Sequence, residues 1–112
     1  MATTKTDVNP KLSAGVAGAS WAFTSNETGD TAELPMGDRS VTMVGTWNGA
    51  TVTLQGSHDN TNWFTLTDGL GNSIALTADG IKNICEFTRY VRPKVTSGSV
   101  TSVAITVLGR MR

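Results

Sequence analysis

Val41-Thr42-Met43-Val44-Gly45-Thr46-Trp47-Asn48-Gly49-Ala50-Thr51-Val52-Thr53-Leu54-Gln55-Gly56-Ser57 is the stretch on which the fold turns. Asn48-Gly49 supplies the two positive φ angles that a type I′ turn demands, and both flanks alternate with period two. Pairing Trp47 with Ala50 sets Gly45 opposite Val52, Met43 opposite Leu54 and Val41 opposite Gly56. Thr46/Thr51, Val44/Thr53, Thr42/Gln55 and Ser40/Ser57 then share the other face. One face is apolar and the other mostly hydroxyl and amide, as a sandwich layer requires.

The same period extends outward. Trp21 and Phe23 alternate against Ser20, Ala22 and Thr24, which predicts a half-buried strand. Ser57 to Asn62 is rich in turn formers, Trp63 to Thr67 reads as a strand ending at an Asp68-Gly69 turn, and Ile74-Ala75-Leu76 begins another. Ala78 to Asn83 reads as a single helical turn. Arg89 to Val95 alternates again, and Pro93 places it at an edge or where no ladder N–H is needed. A three-residue loop, Ser97-Gly98-Ser99 with Gly98 left-handed, would set Val91, Pro93 and Val95 against Ile105, Val103 and Thr101 of the closing run Val100 to Leu108. No long amphipathic helix is present. The pattern predicts an all-β, small antiparallel, jelly-roll-like β-sandwich over residues 19–112. Residues 1–18 lack a period and carry Pro10 and Gly15-Val16-Ala17-Gly18, which predicts an extended N-terminal arm.

With 112 residues and 11.8 kDa, a chain of this size buries roughly two-thirds of its extended surface. Nine basic and nine acidic side chains give zero formal charge, which argues against nucleic acid or a membrane surface as partner. The charges are unevenly placed. Glu27, Asp30, Glu33 and Asp38 form an acidic stretch, whereas Lys82, Arg89, Arg92, Lys94, Arg110 and Arg112 leave the last third basic. The sole cysteine, Cys85, sits in the apolar run Ile84-Cys85-Glu86-Phe87, where a thiol behaves as a small hydrophobe and suits a reducing compartment. Met1 to Asp7 has no apolar core behind it, so neither a signal peptide nor a membrane span is expected, and the site of synthesis is the cytoplasm.

Catalysis needs a nucleophile, a base and a group that orients the base. The only histidine, His58, lies in a polar turn. No P-loop, dinucleotide fingerprint or metal-spaced Cys/His set occurs, so neither enzyme chemistry nor a cofactor or metal is expected. Asp59, Asn60 and Asn62 offer hard oxygens, but these residues also make Asx turns that need no ion. Of the three tryptophans, Trp47 and Trp63 read as structural, and Trp21, beside the arm, is the candidate for a contact between chains. Glu27, Asp30, Glu33 and Asp38, with Arg89, Arg92, Lys94, Arg110 and Arg112, are candidates for complementary docking patches.

Val52-Thr53-Leu54-Gln55-Gly56-Ser57-His58-Asp59-Asn60-Thr61-Asn62-Trp63 and Arg89-Tyr90-Val91-Arg92 resemble two signature segments of discoidin-like, galactose-binding jelly rolls. The resemblance implies a strand, a Gly-Ser turn, a Trp-bearing strand and a nearby Arg-Tyr-Val-Arg strand. The whole chain, with its Thr-rich leader, Asn-Gly hairpin and closing Leu108-Gly109-Arg110-Met111-Arg112, is similar to small virion proteins of tailed phages. That likeness implies a capsid cement or decoration subunit on the virion surface. It would contact the major capsid protein and itself, as a homodimer or homotrimer. The alternative is a carbohydrate-binding module of a tail or adhesion component.

Overall fold

The computed structural model describes residues 6–13, 16–24, 28–34, 38–98 and 102–110, with side chains described from Ala17 onward. The strands are β1 (Thr6–Ser13), β2 (Val16–Phe23), β3 (Ala32–Glu33), β4 (Asp38–Thr46), β5 (Thr51–Ser57), β6 (Phe64–Thr65), β7 (Ala75–Leu76), β8 (Gly80–Ile84), β9 (Tyr90–Ser97) and β10 (Ser102–Arg110). One sheet runs β1-β2-β10-β4-β8; the other runs β3-β9-β5-β6, with β7 also on β5. All pairings are antiparallel. The expected all-β sandwich is therefore what the chain forms.

Its core lies between the sheets. Trp21 and Phe23 of β2, Val41 and Met43 of β4, and Val103, Ile105 and Val107 of β10 meet Val52 and Leu54 of β5, Val91 of β9, Leu66 and Ile74, all of them buried. Period-two alternation is what delivers these side chains to one interior.

The central turn forms as read, but the pairing around it does not. Asn48 and Gly49 have φ of 49° and 78°, and the Ala50 amide donates to the Trp47 carbonyl at 2.9 Å. The flanking strands nevertheless part company: β4 pairs with β10 and β8, and β5 pairs with β9. Met43 thus lies opposite Ile105 and Gly80, and Leu54 opposite Pro93. The same correction applies at the other crossover. Gly98 is left-handed, with φ of 77°, yet β9 and β10 belong to different sheets and do not face each other as partners. An alternating strand satisfies its buried face equally well within one sheet or across two, so alternation could not tell a hairpin from a corner.

The leader gains a structural description, and two further readings are revised. The described part of the expected arm, Thr6–Ser13 and residues 16–18, is strand, with Val8 opposite Ala19 and Asp7 opposite Ser20; residues 1–5 lie outside the described residues. Backbone hydrogen bonds hold an edge strand without any apolar period. Ala78 to Asn83 is not a helical turn, because Gly80–Ile84 pairs with Arg39–Met43. Cys85 is exposed rather than packed.

Arg39 was not singled out and proves structural. Its side chain is buried, and its guanidinium donates to the carbonyls of Leu34 (3.3 Å), Thr88 (2.9 Å) and Glu86 (2.5 Å) and to Thr88 Oγ1 (3.2 Å). Burial pulls its pKa down to about 10, partly offset by the Glu86 carboxylate, so it remains a cation at neutral pH. One buried charge thereby fastens the chain after β3 and the segment before β9 to β4.

Two left-handed glycines separate strain from collision. A Cβ on Gly98 would stand 2.4 Å from the Gly49 carbonyl oxygen and 2.5 Å from Ala50 Cα, whereas one on Gly71 (φ of 86°) would meet nothing within 4 Å. Gly71→Ala should cost about 1–2 kcal/mol, the left-handed penalty alone. Gly98→Ala should cost roughly 2–5 kcal/mol, because overpacking against backbone is added. Equal losses in denaturant titrations would show that the two crossover turns are not in contact.

Candidate functional site

The charges expected to greet a partner are largely occupied with each other. Arg89 Nε donates to Glu33 Oε2 at 2.6 Å, Arg110 Nε to Asp38 Oδ2 at 2.5 Å, and Lys82 Nζ lies 3.6 Å from Asp68. Arg92 stacks 4.1 Å over the Trp63 ring and donates to Gln55 Oε1, so this cation–π contact sits on the outer face of the second sheet beside Lys94. Asp30 is exposed and its carbonyl accepts from Trp21 Nε1 at 2.8 Å. Trp21 itself is 2 % exposed, which places it in the core rather than at a contact between chains. Trp47 is buried as expected, with its Nε1 on Asp79 Oδ1 at 2.8 Å. Glu27 and Arg112 lie outside the described residues.

The Ser57–Asn62 loop closes on itself. Asp59 Oδ1 accepts from the amides of Thr61 (3.0 Å) and Asn62 (2.9 Å) and from Ser57 Oγ (3.0 Å), and Oδ2 accepts from Asn62 Nδ2 (2.8 Å). These bonds, the Asn62 amide first, hold the Asp59 carboxyl far below the usual range. This is an Asx-type turn whose donors come from the chain itself. His58 is exposed beside it. Among the described residues, no group of His, Cys, Asp and Glu is placed to hold a metal ion.

Two surfaces stand out that the sequence reading did not single out. The first is a groove of about 610 Å³ between the Asp59 loop and the Glu86-Phe87-Thr88 segment. Phe64 and Phe87, 70 % and 56 % exposed, line it together with buried Leu66. Glu86 stands on its rim and accepts from the Thr67 amide at 2.8 Å and the Thr67 hydroxyl at 2.5 Å. Phe64 shares parity with buried Leu66, so alternation would have placed it inward; the two-residue β6 lies at the sheet margin, beyond the core.

The second surface is the outer face of the β2-β10-β4-β8 part of the larger sheet. Its rows are Ala22–Ala104–Val44, Ser20–Thr106–Thr42–Ile81 and Gly18–Leu108–Ser40–Asn83. The only charges among the described residues of this face are Asp38 and Arg110, opposite each other at one end and ion-paired.

No protein-family model matches the chain, and no curated protein matches its sequence. Among solved structures, the SPBc2 prophage-derived protein YomS superposes with a TM-score of 0.62 at 10 % identity, over 96 % of this chain and 95 % of that one. Peruvianin-I, a cysteine peptidase from Thevetia peruviana latex, aligns with a TM-score of 0.49 at 11 % identity, over 98 % of this chain and 63 % of that one. The likeness to YomS is one of fold.

Four carboxyls share one electrostatic signature. Asp59 is lowered by its loop amides, Asp68 by the Asn72 amide against the opposing effect of burial, and Asp79 by Trp47 Nε1 and the Gly45 amide. Burial raises Glu86, but the Thr67 hydrogen bonds outweigh it and the net shift is downward. A carboxyl lowered below its unfolded value of about 4 stabilises the fold above that pH and loses its contribution as pH falls through the folded value. Thermal stability should therefore hold from neutrality to about pH 5 and decline below about pH 4. Asp59→Asn should give a shallower acid limb. Asp59→Ala should speed hydrogen exchange at the Thr61 and Asn62 amides, and unchanged exchange would disprove the closed loop.

Proposed function

We propose that this chain is a virion structural protein of a tailed bacteriophage. In this reading it binds the outside of the capsid as a cement or decoration subunit and holds its neighbours rather than transforming a substrate. The observation that carries the reading is the extent of the likeness to a prophage-derived protein, in which one small sandwich accounts for nearly all of both chains. The fate of the charges supports it. With Glu33–Arg89, Asp38–Arg110 and Lys82–Asp68 paired internally, the outer face of β2, β10 and β4 offers mainly hydroxyls and small apolar groups, which suit shape-matched contact with a shell. β1 ends its sheet, and an edge strand offers a free row of backbone groups to a neighbouring chain. Its partners are the major capsid protein and further copies of itself. Many weakly held copies then stiffen the shell jointly, since linked binding events reinforce one another.

Purified protein added to bare expanded capsids of the encoding phage should bind to a saturable, symmetry-matched copy number and raise the temperature at which the shells rupture. Mass spectrometry of purified virions should find it at that stoichiometry. Absence from virions, or unsaturable binding, would reject the assignment.

The groove supports a second reading, a carbohydrate-binding module, because flat apolar rings beside polar loop groups suit a sugar face. Phe64 and Phe87 are the exposed rings of the groove, whereas Trp21 and Trp47 are buried. Binding on a glycan array that Phe87→Ala or Phe64→Ala lowers at least tenfold would establish it. An array without signal would discard it.

A further inference from the structure

Phe64 and Phe87 leave 70 % and 56 % of their surface in water, and both open onto the same groove of about 610 Å³. Aromatic rings exposed to this extent around a concavity are the mark of a binding surface. The groove is also one-sided in charge. Asp59 stands on one wall and Glu86 on the other, His58 is the only other titratable group in the lining, and no lysine or arginine reaches it.

The two carboxylates are fixed and ionised. Asp59 accepts four hydrogen bonds from its own loop, and Glu86 accepts two from Thr67. The loop amides hold the Asp59 carboxyl far below its ordinary range; burial opposes ionisation of Glu86, and the Thr67 bonds outweigh it. A carboxylate has about four acceptor sites. Asp59 therefore has none left for a ligand hydroxyl, yet its charge acts on a cation without needing one.

We propose that this groove receives a lysine or arginine side chain from a basic segment of a different protein, with the aliphatic stem on Phe64 and Phe87 and the charged head toward Asp59 and Glu86. Rings and charge together narrow the choice. A wholly apolar occupant would strip water from two carboxylates and give them no partner. A sugar needs directional acceptors, and Asp59 has spent its own. A basic side chain suits both halves, because its stem covers apolar surface while its head meets the negative field and the ring faces. The chain already makes one such contact, Arg92 over Trp63 at 4.1 Å. A second copy is a poor source of the cation. Arg39 is buried, Arg92 is stacked, and Lys82, Arg89 and Arg110 are ion-paired, which leaves Lys94 as the uncommitted cation among the described residues.

The inference rests on the functional reading above for the identity of the partner, a shell protein, but not for the chemistry of the groove. Titration of the isotope-labelled full chain with Nα-acetyl-arginine amide or Nα-acetyl-lysine amide should shift the amide signals of Phe64, Glu86 and Phe87, with the millimolar affinity of ligands this small. Nα-acetyl-norleucine amide, which keeps a stem and lacks the charge, and galactose should each bind about tenfold more weakly. Glu86→Gln and Phe64→Ala should each weaken the arginine probe about fivefold, with thermal unfolding used to verify that both are folded. Norleucine amide binding as tightly as arginine amide would overturn the proposal, as would galactose binding more tightly than either cation or shifts that avoid the groove. On capsids the two readings separate. Wild-type binding that Phe64→Ala and Glu86→Gln leave unchanged would keep the virion assignment and overturn this inference, whereas cation binding in the groove of a protein that no capsid takes up would reject the assignment and leave the chemistry of the groove standing.

Discussion

The contact between the two crossover turns is the constraint on which the sandwich depends. At one, Asn48-Gly49 carries the chain from β4 to β5; at the other, Gly98 follows β9 before the chain enters β10. Both turns exchange sheets, and Gly98 lies so close to the Gly49 carbonyl that no Cβ fits between them. β10 is thereby delivered between β2 and β4, and β5 beside β9. The interior follows from that placement, because the strands at the centre of each sheet are those whose inward residues are uniformly apolar: Val103, Ile105 and Val107 on one side, Val52 and Leu54 on the other.

Much of this was legible in the sequence and some could not be. Alternation identified the inward residues of β2, β4, β5 and β10, and Asn48-Gly49 and Gly98 were placed correctly in the left-handed region. Partner choice was not legible, since Val41 and Met43 bury the same faces whether β5 or β10 lies alongside. Nor was β1. Thr6–Ser13 has no apolar period because an edge strand need only offer backbone groups, and its ladder with β2 leaves no trace in hydropathy. Ala78 to Asn83 reads locally as a turn of helix, and nothing in that stretch announces that Gly80 lies opposite Met43.

The site was legible in composition and misleading in position. The acidic stretch and the basic last third looked like two poles, but Glu33 and Arg89 are 56 residues apart, and Asp38 and Arg110 are 72 apart. The antiparallel ladders that join distant segments also bring these opposite charges together. Arg39 shows the converse. In sequence it is one more cation after Asp38, and only its depth in the fold turns it into a clamp on three carbonyls. Phe64 and Phe87 escaped notice because an aromatic beside a core strand reads as core, and only β6's short length leaves Phe64 outside.

Zero net charge on a small domain ordinarily invites association, because nothing keeps copies apart. For a protein that acts as an isolated solute this is a liability. For one arranged in many closely spaced copies it removes an obstacle, since charge repeated across neighbours accumulates repulsion at distances comparable to the molecule's 26–37 Å extents when salt is low. Here neutrality is also local: each described ion pair joins a cation to an anion on the same chain. Over the outer face of β2, β10 and β4 a neighbour then encounters small dipoles, hydroxyls and aliphatic groups rather than a net field. Contacts of that kind gain specificity from fit over an area, not from attraction at a distance.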